Sequence, residues 1–289
     1  MKGHNTHKRS LNHLISDRTR LIAIGTLFGF ISGAILMSAL SGPIGGWPSN
    51  QYSLSSSSSA ATPIQLKAIL HYATSKVVPQ QSLKEVTESY NVLQSLGSCN
   101  FLIFGLGHDS LMWAALNPNG TTLFLEESPE WVTTVLKTAP FLNAETVPYR
   151  TRLENADKLL ETYKDEPDCR PERAFLRGNK HCKLALENLP SEVYDREWDV
   201  IMIDAPRGYS PEHPGRMAAI YSAAVMARER KREGKTHVFL HDVNRKVEEK
   251  FAKEFLCMKY RVGSVGRLWH FEIPSLGDVN NGGSITNFC

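Results

Sequence analysis

Four apolar runs in this chain end in residues able to do chemistry. Phe101-Leu102-Ile103-Phe104 leads into Gly105-Leu106-Gly107-His108-Asp109-Ser110, and Phe124-Leu125 leads into Glu126-Glu127-Ser128. Val200-Ile201-Met202-Ile203 is followed by Asp204-Ala205-Pro206, and Val238-Phe239-Leu240 by His241-Asp242-Val243-Asn244. A glycine turn that opens a helix lets the backbone approach a ligand and aims free amides at a polar or anionic group; a tight turn without a ligand is the competing reading. An acid about twenty residues further on, at the end of the next strand, is where nucleotide-type folds hold ribose hydroxyls. Glu126 suits that role because it directly follows Phe124-Leu125, with Ser128 then capping a helix from Pro129. Glu127 as the ligand, or both acids as solvated charges, stay open. The expected cofactor-binding set is Gly105, Gly107 and Glu126.

Asp204 and Asp242 each end an apolar run, and neighbouring strands would bring them toward one point. Oxygen ligands so arranged suit a hard divalent cation, with Asn244 or a water completing the shell. His241 adds an imidazole able to accept a proton near neutral pH. Either aspartate alone reads equally as a helix cap; the pair is the argument for a site. Asp204, His241 and Asp242 are therefore the expected catalytic residues, and Asp204, Asp242 and Asn244 the expected metal ligands.

Such residues need a scaffold that gathers strand ends. The four runs read as short buried strands, and SLMWAAL, PEWVTTVLKTA, GRMAAIYSAAVMARERKR and VNRKVEEKFAKEFL read as helices between or after them. This alternation predicts an α/β fold: a doubly wound, mostly parallel sheet wrapped by helices, whose ligands bind beyond the carboxyl ends of the strands. A third strand is expected at Glu145–Tyr149 and a terminal antiparallel hairpin at Tyr260–Val265 and Arg267–Ile273. Ile64–Tyr72 and Gln81–Leu96 read as leading helices, the second with Leu83, Val86, Tyr90 and Leu93 at helical spacing. The segment Tyr163–Pro190 breaks the alternation and reads as an insertion.

The 289 residues carry a formal net charge of +3, but the excess is local. Residues 1–20 hold five bases against Asp17, and the remainder has 28 bases against 29 acids, which leaves no basic excess of the kind that marks a nucleic-acid binder. Residues 21–40 contain no charge and are long enough to span a bilayer core. With the bases on its N-terminal side, this run predicts a type II signal anchor; a cleaved signal peptide is the rival. Gly25, Gly29 and Gly33 offer a face for a homodimer, or reflect the frequency of glycine in membrane helices. Residues 41–63 read as a Ser/Gly/Pro-rich stem, 64–275 as the lumenal catalytic domain and 276–289 as a flexible tail. In an oxidising lumen Cys169 and Cys182 are expected to form a disulfide, with a zinc site as the alternative, and Asn119-Gly120-Thr121 is a glycosylation sequon.

The order of glycine turn, strand-two acid, DAP, HDxN and terminal hairpin resembles the class I S-adenosylmethionine-dependent methyltransferases, which implies a Rossmann-like sheet and that methyl donor. FLIFGLGHDSLMW, TTLFLEE, EWDVIMIDAPRGY, PGRMAAI, THVFLHDVNRKVE and SVGRLWHFEIP are similar to the plant glucuronoxylan 4-O-methyltransferases of secondary cell walls. The resemblance spans roughly residues 80 to 275 and also covers the anchor. It implies methylation of O4 of glucuronic acid side chains on glucuronoxylan, and a Golgi membrane location with the catalytic domain in the lumen. Arabinogalactan methyltransferases share most of these motifs and give the alternative acceptor. A non-catalytic Golgi scaffold of xylan synthesis would keep the fold and lose the donor site, against which Gly105, Gly107 and Glu126 argue. In the loop after Asp204, Arg207 and Arg216 are expected to pair the uronate carboxylate and Tyr209 to stack on a sugar ring; surface charge is the other reading for both arginines.

Overall fold

A computed structural model describes residues 61–279 and 287–289. The basic tail, the apolar run at 21–40 with Gly25, Gly29 and Gly33, and the stem up to residue 60 lie outside the described residues. Among the described residues no helix is long and apolar enough to cross a membrane.

The described residues form one compact unit around a seven-stranded sheet of order β3-β2-β1-β4-β5-β7-β6. The strands are β1 (Asn100–Phe104), β2 (Thr121–Glu126), β3 (Asn143–Thr146), β4 (Val200–Ile203), β5 (Lys235–Leu240), β6 (Arg261–Val265) and β7 (Leu268–Pro274). The first five are parallel, while β7 runs antiparallel to β5 and to β6. Strands β1, β4 and β5 are wholly apolar at their carboxyl ends because both faces are covered, and the alternation of side chains divides them between two cores. Leu102, Phe104, Ile201, Ile203, Val238 and Leu240 face one side. Phe101, Ile103, Val200, Met202 and Phe239 face the other.

The helices are α1 (Pro63–Thr74), α2 (Leu83–Leu96), α3 (Ser110–Leu116), α4 (Pro129–Thr138), α5 (Ala156–Thr162), α6 (Ser191–Asp195), α7 (Met217–Arg228) and α8 (Lys246–Phe251). Helix α7 is buried almost all round, from Met217 to Arg228, which accounts for its unbroken run of small and apolar residues. Helix α2 departs from the expected stripe. Leu83 is 81% exposed, and the buried positions are Glu85, Ser89 and Leu93. Its inward face is polar because it lies over the hairpin turn, where Glu85 accepts from the Arg267 amide at 2.6 Å.

Strand β3 starts and ends earlier than expected, since Pro148 has no N–H to extend the ladder beyond Val147. The insertion is held by a disulfide between Cys169 and Cys182. It is also pinned by Arg150, whose guanidinium donates to the carbonyls of Asn179, Lys180, Cys182 and Ala185. The expected flexible tail is corrected at its end. Phe288 is buried against Tyr163, Tyr221 and Phe255, and Cys289 is joined to Cys257. Cys99 is free and buried. Asn119 is exposed in the turn entering β2, at the edge of the sheet opposite the strand ends discussed next.

Candidate active site

Strand register decides which residues meet. Phe104 pairs with Ile203 and Ile203 with Leu240, so the residues after them, Gly105, Asp204 and His241-Asp242, emerge side by side. All but His241 border a cleft of about 680 Å³ whose walls include Gly105, Gly107, Glu126, Asp204 and Asp242. That volume lies within the usual range for small-molecule and cofactor sites.

The glycine turn is built for close approach. Gly105 has φ +130°, a conformation side chains rarely adopt, and a Cβ there would stand 3.2 Å from Ala205 Cβ. Glu126 sits beside the turn, accepting from the Leu106 amide and the Ser128 amide, each at 3.1 Å. Burial, followed by the charge of Glu127, pushes its carboxyl up to about 7. Ser128 caps α4 by accepting from the Trp131 amide. The Trp131 indole in turn donates to the Leu106 carbonyl, which fixes one wall of the cleft. Asp109, two residues past Gly107, also lines the cleft; burial and then the charge of Asp204 raise its pKa. These features fit S-adenosylmethionine: a turn with no room for side chains, a carboxyl for two ribose hydroxyls, and sufficient volume.

At the ends of β4 and β5 lies a compact cluster of charges. Asp204 Oδ1 is 2.8 Å from His241 Nδ1, and Asp204 Oδ2 accepts from Gln81 Nε2 at 3.1 Å. Burial alone would raise the Asp204 pKa, but the His241 hydrogen bond and the Arg216 charge bring it below its ordinary value. Asp242 takes a left-handed φ of 61°, which turns its carboxylate inward. There it meets Arg216 at 2.9 Å, Arg245 at 2.9 Å and Arg267 at 2.6 Å.

Three expected roles change in this geometry. Arg216 borders the cleft but is not a surface charge. Its side chain is 5% exposed and bridges Asp204 and Asp242 while donating to the carbonyls of Asp204 and His241. A charged group after a glycine in a loop is buried here only because two strand ends supply its counter-charges. His241 is fully buried and reaches the cleft only through Asp204. Asn244 is exposed and is not among the residues lining the cleft.

The metal expectation fares similarly. Asp204, His241 and Asp242 offer ligand atoms within 4.8 Å of one another. However, the Arg216 guanidinium lies between the two carboxylates, at 3.2 and 2.9 Å, and two more arginines hold Asp242. The positive charge a divalent ion would supply is already present, so the residues as arranged do not fit one.

Arg207 and Tyr209 do line the cleft. Arg207 Nε is 2.9 Å from Glu127 with its side chain 53% exposed, and Tyr209 is 70% exposed with its ring against His213. Arg245, Trp131 and Gln81 escaped the sequence reading, which named Asp109 in the turn without giving it a role. Arg245 follows Asn244 directly, and its position just past a strand end was the available signal.

Fold and site together define a Rossmann-like α/β sheet of the methyltransferase type, with a cofactor-sized cleft at the carboxyl ends of its strands. The chain belongs to the IRX15/IRX15L/GXM family, whose family model matches residues 84–271. It is 56% identical to Arabinogalactan O-methyltransferase 1 of Arabidopsis thaliana over 276 residues, covering 91% of this chain and 94% of that one. It is 65% identical to Arabinogalactan O-methyltransferase 2 of the same plant over 76% of each chain. Against Glucuronoxylan 4-O-methyltransferase 1, also of Arabidopsis thaliana, identity is 48% over 77% of this chain and 78% of that one.

Proposed function

We propose that the protein transfers a methyl group from S-adenosylmethionine to a hydroxyl of glucuronic acid residues carried by arabinogalactan. The observation that carries the acceptor is the order of identities. Two relatives named for arabinogalactan stand at 56% and 65%, and three named for glucuronoxylan at 48–50%. This shifts the acceptor away from the glucuronoxylan expected from the motifs. Glucuronoxylan remains the second reading, because those relatives match over 72–77% of this chain and share the same uronic acid chemistry.

The donor brings an already activated methyl group. The chain must therefore position the acceptor oxygen in line and take its proton. The turn at Gly105 and Gly107 receives the donor, and Glu126 accepts from its ribose hydroxyls. Asp204 is the group to receive the hydroxyl proton, because it alone of the Asp204–His241 pair borders the cleft. His241 and Gln81 fix its two oxygens, and Arg216 holds it against Asp242. Arg207 and Arg245 are the guanidinium groups on the cleft wall able to face a uronate, beside Tyr209 for the sugar ring. A divalent cation would have to displace Arg216, so no step is routed through one.

The reading includes a type II anchor at residues 21–40 and a catalytic unit in the Golgi lumen. Two disulfides and the exposed Asn119 sequon support an oxidising, glycosylating compartment. Incubating the full chain with labelled donor and arabinogalactan, glucuronoxylan and pectin in parallel tests the function. Label on the glucuronic acid of arabinogalactan is expected. Label confined to glucuronoxylan would overturn the acceptor, and label in none would overturn the activity.

A further inference from the structure

A second hollow of about 320 Å³ lies past the carboxyl end of β3, outside the donor cleft. Its walls come from the segment after β3 and from the disulfide-closed insertion, and include Arg152, Asn155, Lys158, Thr162 and Lys183. Four lysines and arginines border it against one carboxylate, Glu166. That acid is engaged locally, accepting from the Asp168 amide at 3.2 Å. Asp168 itself is paired with His181 at 2.9 Å.

The cations are not equally committed. Arg150 belongs to the wall, its guanidinium spent on insertion carbonyls and on Glu187. Arg152 is paired only with Glu154, both about half exposed, a contact worth little that can re-form around another anion. The ammonium groups of Lys158 and Lys183 have no hydrogen bond or ion pair among the described residues. Two free ammonium groups therefore border a concavity whose backbone is fixed by Arg150 and by the disulfide through Cys169. A preformed site loses little entropy on binding.

The hollow is tied to the active site by hydrogen bonds. Leu153 and Glu154 amides donate to the carbonyls of His213 and Pro211, and the Thr151 hydroxyl donates to that of Pro214. These carbonyls belong to the loop that carries Arg207 and Tyr209 into the donor cleft. Along that loop Tyr209 stands 70% exposed with its ring edge against His213, an amphipathic surface of the kind sugars lie on.

We infer that this hollow is a second acceptor site, where Lys158 and Lys183 hold a uronate of the same polysaccharide some sugars away from the residue being methylated. The inference rests on the uronate acceptor of the proposed function. Carboxylates are matched by the lysines and sugar hydroxyls by Asn155 and Thr162, and the volume admits roughly one or two sugar rings. Methylation would then favour long acidic chains over single units, because one contact raises the local concentration of the other.

The test compares the full chain with its Lys158→Glu/Lys183→Glu and Lys158→Gln/Lys183→Gln forms. With a polymeric glucuronic acid-bearing acceptor, KM is expected to rise about tenfold in the charge-reversed form and less in the neutral one. With a short acceptor carrying a single uronate, kcat and KM should stay unchanged, as should S-adenosylhomocysteine binding. A polymer KM that does not move, or an equal rise for both acceptors, overturns the inference. A second arm needs no turnover: calorimetry with polygalacturonate against a neutral galactan. Binding of the polyuronate that is lost in the charge-reversed form supports the site, and equal binding of the neutral polymer overturns it. Should no acceptor be methylated at all, the proposed function fails while this arm still decides the site.

Discussion

Glu126 and Arg216 both line the cleft, and each makes a separable prediction. The Glu126 carboxyl, raised to about 7, accepts from both ribose hydroxyls only when ionised. Donor-product affinity should therefore increase about tenfold between roughly pH 6 and pH 8. S-adenosylhomocysteine titrated into Glu126→Gln should bind more weakly and without that slope. The same shift acts oppositely on stability. A carboxyl raised in the folded state stabilises fully below its unfolded pKa, and that contribution is lost as pH rises through about 7. Arg216→Ala leaves the buried Asp242 carboxylate and the partly exposed Asp204 without their shared counter-charge, and should cost about 3–5 kcal/mol in chemical denaturation. Arg207→Ala should instead leave stability unchanged and raise acceptor KM, since its side chain is half exposed beside the cleft. Equal unfolding midpoints for the two variants would refute this division of roles. The strand-end acids were legible in the sequence because an acid closing an apolar run has nowhere to go but the sheet edge. The arginines were not, because whether Arg207 or Arg216 is buried depends on which strand ends lie next to each other, a property of register and not of local sequence.

At the level of elements, the strands were readable because burial on both faces leaves an unbroken apolar run. Helix α2 was misread on its inner face, since a helix that covers a polar hairpin turn inverts the usual pattern and buries Glu85 and Ser89 while exposing Leu83. The insertion could be located, but its internal structure could not be read, because it is two short 3-10 turns followed by irregular chain, fixed by Arg150 and a disulfide. Removing that disulfide by Cys169→Ser with Cys182→Ser should lower stability by about 3 kcal/mol, the loop-entropy value for a closure of this size. Because no residue of the insertion lines the cleft, donor-product binding in this variant is expected to be unchanged at temperatures where it stays folded. Calorimetric unfolding together with S-adenosylhomocysteine titration checks both parts.

Across the whole molecule, the charge arithmetic has a different meaning from its face value. The basic excess lies in residues 1–20, while the compact unit places a few arginines and lysines around its two hollows. The last residues contribute to the core as well. Phe288 stands among three aromatic rings and its carbonyl accepts from Arg228 at 3.0 Å, so Phe288→Ala should cost about 3–5 kcal/mol. The thermal midpoint would fall by on the order of 10 °C, and an unchanged midpoint would mean that these rings repack without it. The sheet order carries one more consequence, for how the chain assembles. Strand β1 finds β2 almost at once, but its other neighbour, β4, arrives only after about a hundred further residues have been made. Until then its apolar edge stays open, able to pair with any passing strand. Refolding yield should accordingly fall with protein concentration, and during synthesis this edge is the surface a chaperone has most reason to shield.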